Sequence, residues 1–164
     1  FEYHDGYYVI RNVKSQKALD VDGGKLVPGT NVQQWECDSA NANQLFSVVD
    51  NGDGTLSFIN KATGLFLDIV GASDSVQANL DAYLPNGSAA QKFTSNDTLA
   101  QKWYVSKVAG LDNTFEIECI GSAKVLSLAD DGKLVQQTSS GADSQRWHSA
   151  LSGGKVALQN AATG

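Results

Sequence analysis

The chain has 164 residues and a formal net charge of −6, and 41% of its residues are apolar. That is one domain's worth of sequence with enough apolar material for a self-sufficient core, which excludes a disordered chain. The acidic balance argues against nucleic-acid and anionic-membrane partners, whose phosphates need clustered Lys and Arg, and no apolar run approaches the roughly 20 residues of a membrane helix.

Sixteen glycines beside two prolines indicate many tight turns. The chain begins at Phe1, with no Met anywhere and no signal peptide, and is expected to be a processed or excised piece of a longer protein. In chain order, the first strand-like alternation is "YYVIRNV" (7–13), followed by "KALDVDG" (17–23) and the amide-rich "VQQWECDSANANQLF" (32–46). The turn "DNGDGT" (50–55) precedes "TLSFINK" (55–61) and "LFLDIVG" (65–71). Next come "ANLDAY" (78–83), the turn "PNG" (85–87), "AAQKF" (89–93) and "LAQKW" (99–103). The last third reads "NTFEIEC" (113–119), "KVLSLAD" (124–130), the turn "DDG" (130–132), "VQQT" (135–138) and "QRW" (145–147).

No window sustains helical periodicity, so each segment reads as β. "QLF" (44–46), "QKW" (101–103) and "QRW" (145–147) recur, each downstream of a run centred on Asp20, Asp68 or Ser127. Three divergent copies of a roughly 50-residue unit therefore fill the chain. Their bounds are about 6–50, 51–108 and 109–152, within one domain of residues 1–152. An isolated unit cannot cover its apolar face, so three copies of about four strands must pack around one axis as a threefold barrel. "GGKVALQNAATG" (153–164) parallels "DGTLSFINKATG" (53–64) and is either an extra strand or the start of a further repeat.

"QKW" and "QRW", with "QLF" as a Phe46 variant, resemble the Q-x-W motif of ricin-type β-trefoil (R-type) lectins. "ALDVDGG…GTNVQQWECDSANANQLF" also follows that family's order of L-D-V, x-V-Q-x-W and N-Q-x-W. The resemblance spans all three repeats. It implies an all-β trefoil, with six strands in a barrel and six in a triangular cap. It further implies that Phe46, Trp103 and Trp147 fill the shared core.

A sugar offers one weakly apolar C–H face and a rim of hydroxyls, so binding it in water calls for an aromatic plate and fixed polar groups. A carboxylate is the strongest acceptor available for paired hydroxyls. Carried over from the resemblance, those roles fall to Asp20, Gln33, Trp35 and Asn43, with Gln44 bracing Asp20 or touching a hydroxyl. Asp22 lies two positions beyond Asp20 and is either a support for the site or a solvated turn residue. In the second repeat Asp68 matches Asp20, and Tyr83 is preferred over Phe93 as the aromatic because it repeats the Asp20-to-Trp35 spacing. An alanine, Ala90 or Ala100, replaces the Asn there, and a weaker pocket is expected. In the third, Ser127 replaces the acid and Thr138 the aromatic, although Gln136 and Gln145 remain, so no sugar is expected to bind.

The implied function is a non-catalytic carbohydrate-binding module, secreted or at the extracellular cell surface, with galactose-type sugars favoured by the resemblance. Its partners would be cell-surface, mucin or polysaccharide glycans, and it would sit within a larger multidomain protein. No cofactor or metal is expected. "DNGDGT" lacks the liganding spacing of a calcium loop and reads as a hairpin turn. Cys37 and Cys119 form no CxxC; two buried free thiols are expected, with a single long-range disulfide left open. The histidines, His4 and His148, lie in no catalytic motif, and Asp20 and Asp22 are too close to act as a glycosidase pair. The remaining alternative is a protein-binding trefoil, an adhesin or inhibitor scaffold, which has no need of Asp20, Gln33 and Trp35 at lectin spacing. "NGS" (86–88) and "NDT" (96–98) are glycosylation sequons.

Overall fold

The structure, a computed structural model, describes residues 6–70, 79–83 and 99–151, with only the backbone of Asp81, Tyr83 and Leu151. His4, Phe93, both sequons and the tail from 153 onward lie outside the described residues.

The chain is all-β, and each repeat contributes four strands. The first holds β1 (Tyr8–Asn12), β2 (Ala18–Val21), β3 (Thr30–Trp35) and β4 (Leu45–Asp50). The second holds β5 (Leu56–Asn60), β6 (Phe66–Ile69), β7 (Leu80–Tyr83) and β8 (Trp103–Lys107). The third holds β9 (Phe115–Cys119), β10 (Lys124–Leu128), β11 (Leu134–Gln137) and β12 (Trp147–Leu151). The outer strands of each set close a ring, β1–β4–β5–β8–β9–β12 and back to β1, every pairing antiparallel. The inner strands form the hairpins β2–β3, β6–β7 and β10–β11, which cap one end. Neighbouring caps meet where β3 pairs with β7 and where Asn79 bridges Val135. The result is a β-trefoil: closing the ring removes the barrel's free edges, and the hairpins cover its open end.

The motif aromatics sit where the repeat pattern places them. Phe46, Trp103 and Trp147 are each at most 1% exposed and pack with Ile10, Phe58 and Phe115 in the barrel core. Trp103 Nε1 donates to the Leu67 carbonyl at 3.3 Å and Trp147 Nε1 to the Leu126 carbonyl at 3.1 Å, so each indole satisfies its one donor inside the core. Phe46 fills the same place with no donor to satisfy.

A second threefold device ties the repeats together. Asn12 and Asn60, both buried, end the first strand of their repeats. Each carbonyl oxygen accepts two backbone N–H groups of the following turn, Lys14 and Ser15 in one case, Ala62 and Thr63 in the other. Each amide nitrogen reaches across to the turn before a motif Gln: Asn12 Nδ2 to the Ser144 carbonyl at 2.9 Å, and Asn60 Nδ2 to the Asn43 carbonyl at 2.8 Å. In the third repeat Cys119 holds this place, with its Sγ 3.6 Å and 3.9 Å from the Leu99 and Ala100 carbonyls. Burial pushes its thiol pKa up. Both cysteines are free, and Cys37 is exposed rather than buried, since it follows β3 out onto the surface.

The third hairpin corrects the sequence alignment by one residue. Asp20 lies opposite Gln33 and Ala18 opposite Trp35, whereas Ser127 lies opposite Val135 and Val125 opposite Gln137. Gln137, not Thr138, therefore stands at the aromatic position, and Val135, not Gln136, at the Gln33 position. The cause is burial: Leu134, 2% exposed, takes the core place that Val32 holds, and a slip of one residue would turn it outward. Gln136 faces inward instead and accepts the Ser122 hydroxyl at 2.6 Å.

Candidate functional site

In the first repeat β2 and β3 run antiparallel with Asp20 opposite Gln33, and alternation puts Trp35 on the same face two residues along. Asp20 is 4% exposed, yet neither carboxylate oxygen is left bare. Gln33 Nε2 donates to Oδ1 at 3.2 Å and Gln44 Nε2 to Oδ2 at 3.1 Å. A carboxylate has about four acceptor sites, so two amide donors fix its plane and leave lone pairs for further donors.

Gln44 is fully buried and braces Asp20. Its Nε2 also donates to the Glu36 carbonyl at 2.9 Å, and its Oε1 accepts the Asp38 N–H at 2.8 Å. One side chain thus clamps the loop after β3 to the start of β4 and aims the acid. Trp35 ends β3 with 58% of its surface exposed, a wide apolar plate left uncovered beside a buried charge. Such a side chain stabilises nothing by burial.

Asn43 directly precedes the bracing Gln44. It lies in the turn Ala42–Gln44, whose entry is capped by the Asn41 side chain accepting the Asn43 N–H at 3.0 Å. Its side chain rests on the backbone of Gly24, where an added Cβ would lie 2.4 Å from Asn43 Oδ1; Gly24 also has φ +59°. Gly24 and Asn60, which holds the Asn43 carbonyl, therefore both position Asn43. The sequence signal for Asn60 was present in the parallel "RNVKS" and "INKAT" runs. Nothing in the sequence pointed to Gly24. Asp22 turns away: it opens the single turn Asp22–Gly24 and pairs with Lys25 at 2.6 Å on the surface.

In the second repeat Asp68 is buried and accepts Gln101 Nε2, which makes Gln101 its motif Gln and Ala100 the residue in the Asn place. The backbone register sets Asp81 opposite Asp68 and Tyr83 opposite Phe66, as Trp35 is set opposite Ala18. In the third repeat Ser127 donates its hydroxyl to Gln137 Oε1 at 2.7 Å, while Gln145 keeps its clamp through the Thr138 carbonyl (2.8 Å) and the Ser140 N–H (2.7 Å). A hollow of about 490 Å³ opens there, lined by Gln137, Ser140, Ser144, Asp130 and Asp131, with no aromatic side chain.

Among the described residues, no group of three or more His, Cys, Asp or Glu could hold a metal ion. "DNGDGT" is the β4–β5 turn: Asp50 accepts the Gly52 N–H at 2.8 Å, and Asp53 accepts the Thr55 N–H at 3.1 Å. The Lys102 ammonium, 2.7 Å from Asp53, holds that carboxyl well below the usual range. His148 contacts Thr114 Oγ1 at 3.3 Å, and burial together with the Arg11 charge lowers its pKa.

Against known families, the chain matches the ricin-type beta-trefoil lectin domain-like family at residues 1–83, 42–132 and 99–164. Among solved structures, a designed threefold-symmetric protein, ThreeFoil, is 31% identical, with 88% of this chain and 98% of that one covered at a TM-score of 0.76. An exo-β-1,3-galactanase from Clostridium thermocellum is 24% identical over 92% of this chain, at a TM-score of 0.77, and this chain spans 31% of it. The Macrolepiota procera ricin B-like lectin, solved in complex with lactose, is 17% identical, with 92% and 99% covered at a TM-score of 0.72. No curated protein sequence is significantly similar to the chain.

Proposed function

The chain belongs to the ricin-type β-trefoil lectin domain-like family, and on that premise we propose that it is a non-catalytic carbohydrate-binding module taking galactose-type glycans in the first-repeat pocket. The observation that carries this reading is an exposed Trp35 plate set beside a buried Asp20 whose two oxygens are aimed by Gln33 and Gln44. The indole would lie under the C–H face of a pyranose. Asp20 would accept adjacent hydroxyls through its remaining lone pairs, with Asn43 hydrogen-bonding the far rim. A protein-binding scaffold has no use for an acid oriented this way beside an uncovered indole.

The choice of galactose-type sugars draws on neighbours of the same fold: one is solved with lactose and one is part of a galactanase. A shallow pocket buries little area, so single-site affinity is expected to be weak and avidity to matter. The natural partners are then extracellular glycans, on cell surfaces, mucins or polysaccharides. The second-repeat pocket around Asp68 and Tyr83 is the weaker site, because an acid replaces Gln33 and an alanine replaces Asn43.

The test is a glycan array followed by titration of galactose into wild type, Asp20→Ala and Trp35→Ala. Binding that survives both substitutions rules out the first pocket.

A further inference from the structure

The far flank of β3 carries a second hollow, which shares only Asp131 with the hydroxyl-lined one in the third repeat. It measures about 300 Å³ and lies between β3, Asn79 immediately before β7, and residues 131–134 at the end of the β10–β11 turn and the start of β11. Asn31, Gln33 and Gln34 line it from β3, and Asp131 and Lys133 from the turn. This turn is fixed in place. Gln34 Nε2 donates to the Gly132 carbonyl at 3.1 Å, joining the first and third repeats, and Asn79 bridges Val135 close by. The volume is at the lower end of ligand pockets and matches one small polar ring better than an apolar group.

Gln33 lines this hollow and also holds Asp20. Its Nε2 is committed to the acid, which leaves its carbonyl oxygen as an acceptor. The remaining groups are three amides (Asn31, Gln34 and Asn79), an ammonium and a carboxylate, with Lys133 and Asp131 paired at 3.0 Å on the exposed rim. That is a set of donors and acceptors without a stacking plate, suited to the hydroxyls of a sugar ring already tethered from one side.

Resting on the reading of Asp20 and Trp35 as the site of the terminal ring, we propose that this hollow is an extension subsite. It would receive the next ring of an oligosaccharide and make the module a reader of chain ends rather than of free monosaccharides. Gln33 is the shared wall across which the glycosidic bond passes.

Calorimetric titration with galactose and with linear β-1,3- and β-1,4-linked galacto-oligosaccharides of two to four rings tests this. One or two added hydrogen bonds should make the best oligosaccharide about tenfold tighter than galactose in wild type. Asn31 and Lys133 are both exposed, so the double variant Asn31→Ala/Lys133→Ala should fold normally. It should keep the wild-type affinity for galactose and lose most of the gain with length. Galactose binding with no gain at any length or linkage, or a gain unchanged in the double variant, overturns the subsite. Galactose binding that survives Trp35→Ala but is lost in the double variant makes this hollow the primary site and overturns the subsite. A wild type that binds none of the sugars sinks the first-repeat pocket itself.

Discussion

The first and third repeats share a backbone and a clamp but differ in what the clamp holds. Gln44 and Gln145 are both buried, and each accepts a backbone N–H and donates to a backbone carbonyl across the loop. Only Gln44 also donates to a carboxylate. Where the first repeat has Asp20 and an exposed indole, the third has Ser127 giving its hydroxyl to the Gln137 carbonyl, a pair that satisfies itself. On the proposed reading, holding the fold and holding a ligand are separable duties of one motif, and the third copy retains only the first.

The largest test of the shared duty is the core aromatic. Trp103→Ala and Trp147→Ala should each cost about 3–5 kcal/mol in urea unfolding, since both rings are fully buried and each indole donor is bonded. The clamp comes next. Gln44→Ala and Gln145→Ala should cost a similar amount, about 2 kcal/mol, by removing a buried side chain that bonds two backbone groups of the loop, but only the first should weaken galactose binding. Equal losses of binding would erase the distinction between the two repeats. Trp35→Ala isolates the other duty: with the ring 58% exposed, its stability should stay within about 0.5 kcal/mol of wild type, while galactose titration shows loss of binding.

These contrasts were unevenly legible in the sequence. The three Q-x-aromatic blocks gave away the trefoil because a large ring must fill each third of one core, and the trio Asp20–Gln33–Gln44 follows from family spacing; the Gln beside Asp68 stayed open between positions 91 and 101 until the fold set Gln101 against the acid. The register of the third hairpin did not follow from matching "VQQ" to "VQQ". Burial of Leu134 outranks a string of identical letters, and a one-residue slip leaves the letters aligned while turning every side chain to the wrong face. Matching Asp20, Asp68 and Ser127 sets Cys119 level with Asn12 and Asn60, but letters alone did not show that a thiol there would face the carbonyls before a motif Gln as the amides do.

The turn after those residues offers a smaller contrast. Gln16, Gly64 and Ala123 occupy the same place with φ of 62°, 67° and 53°, a left-handed conformation that only glycine adopts without strain. Ala123→Gly copies the second repeat and should stabilise the fold by about 1 kcal/mol. Gly64→Ala should cost about as much in the same denaturation assay.

The smallest effect separates the seam between the third and first repeats from the rest of the barrel. His148 on β12 stands where β4 has Ser47 and β8 has Tyr104, and it lies opposite Arg11 of β1, beside Thr114. Burial and the guanidinium charge lower its pKa in the folded state, so as pH falls the unfolded chain takes up the proton first. The associated stability is complete above the ordinary histidine value of about 6.5 and is lost as pH drops from there toward the lowered folded value. His148→Gln should therefore flatten the pH dependence of unfolding between about pH 7 and pH 5, and a slope there that persists in the variant would assign it to another group.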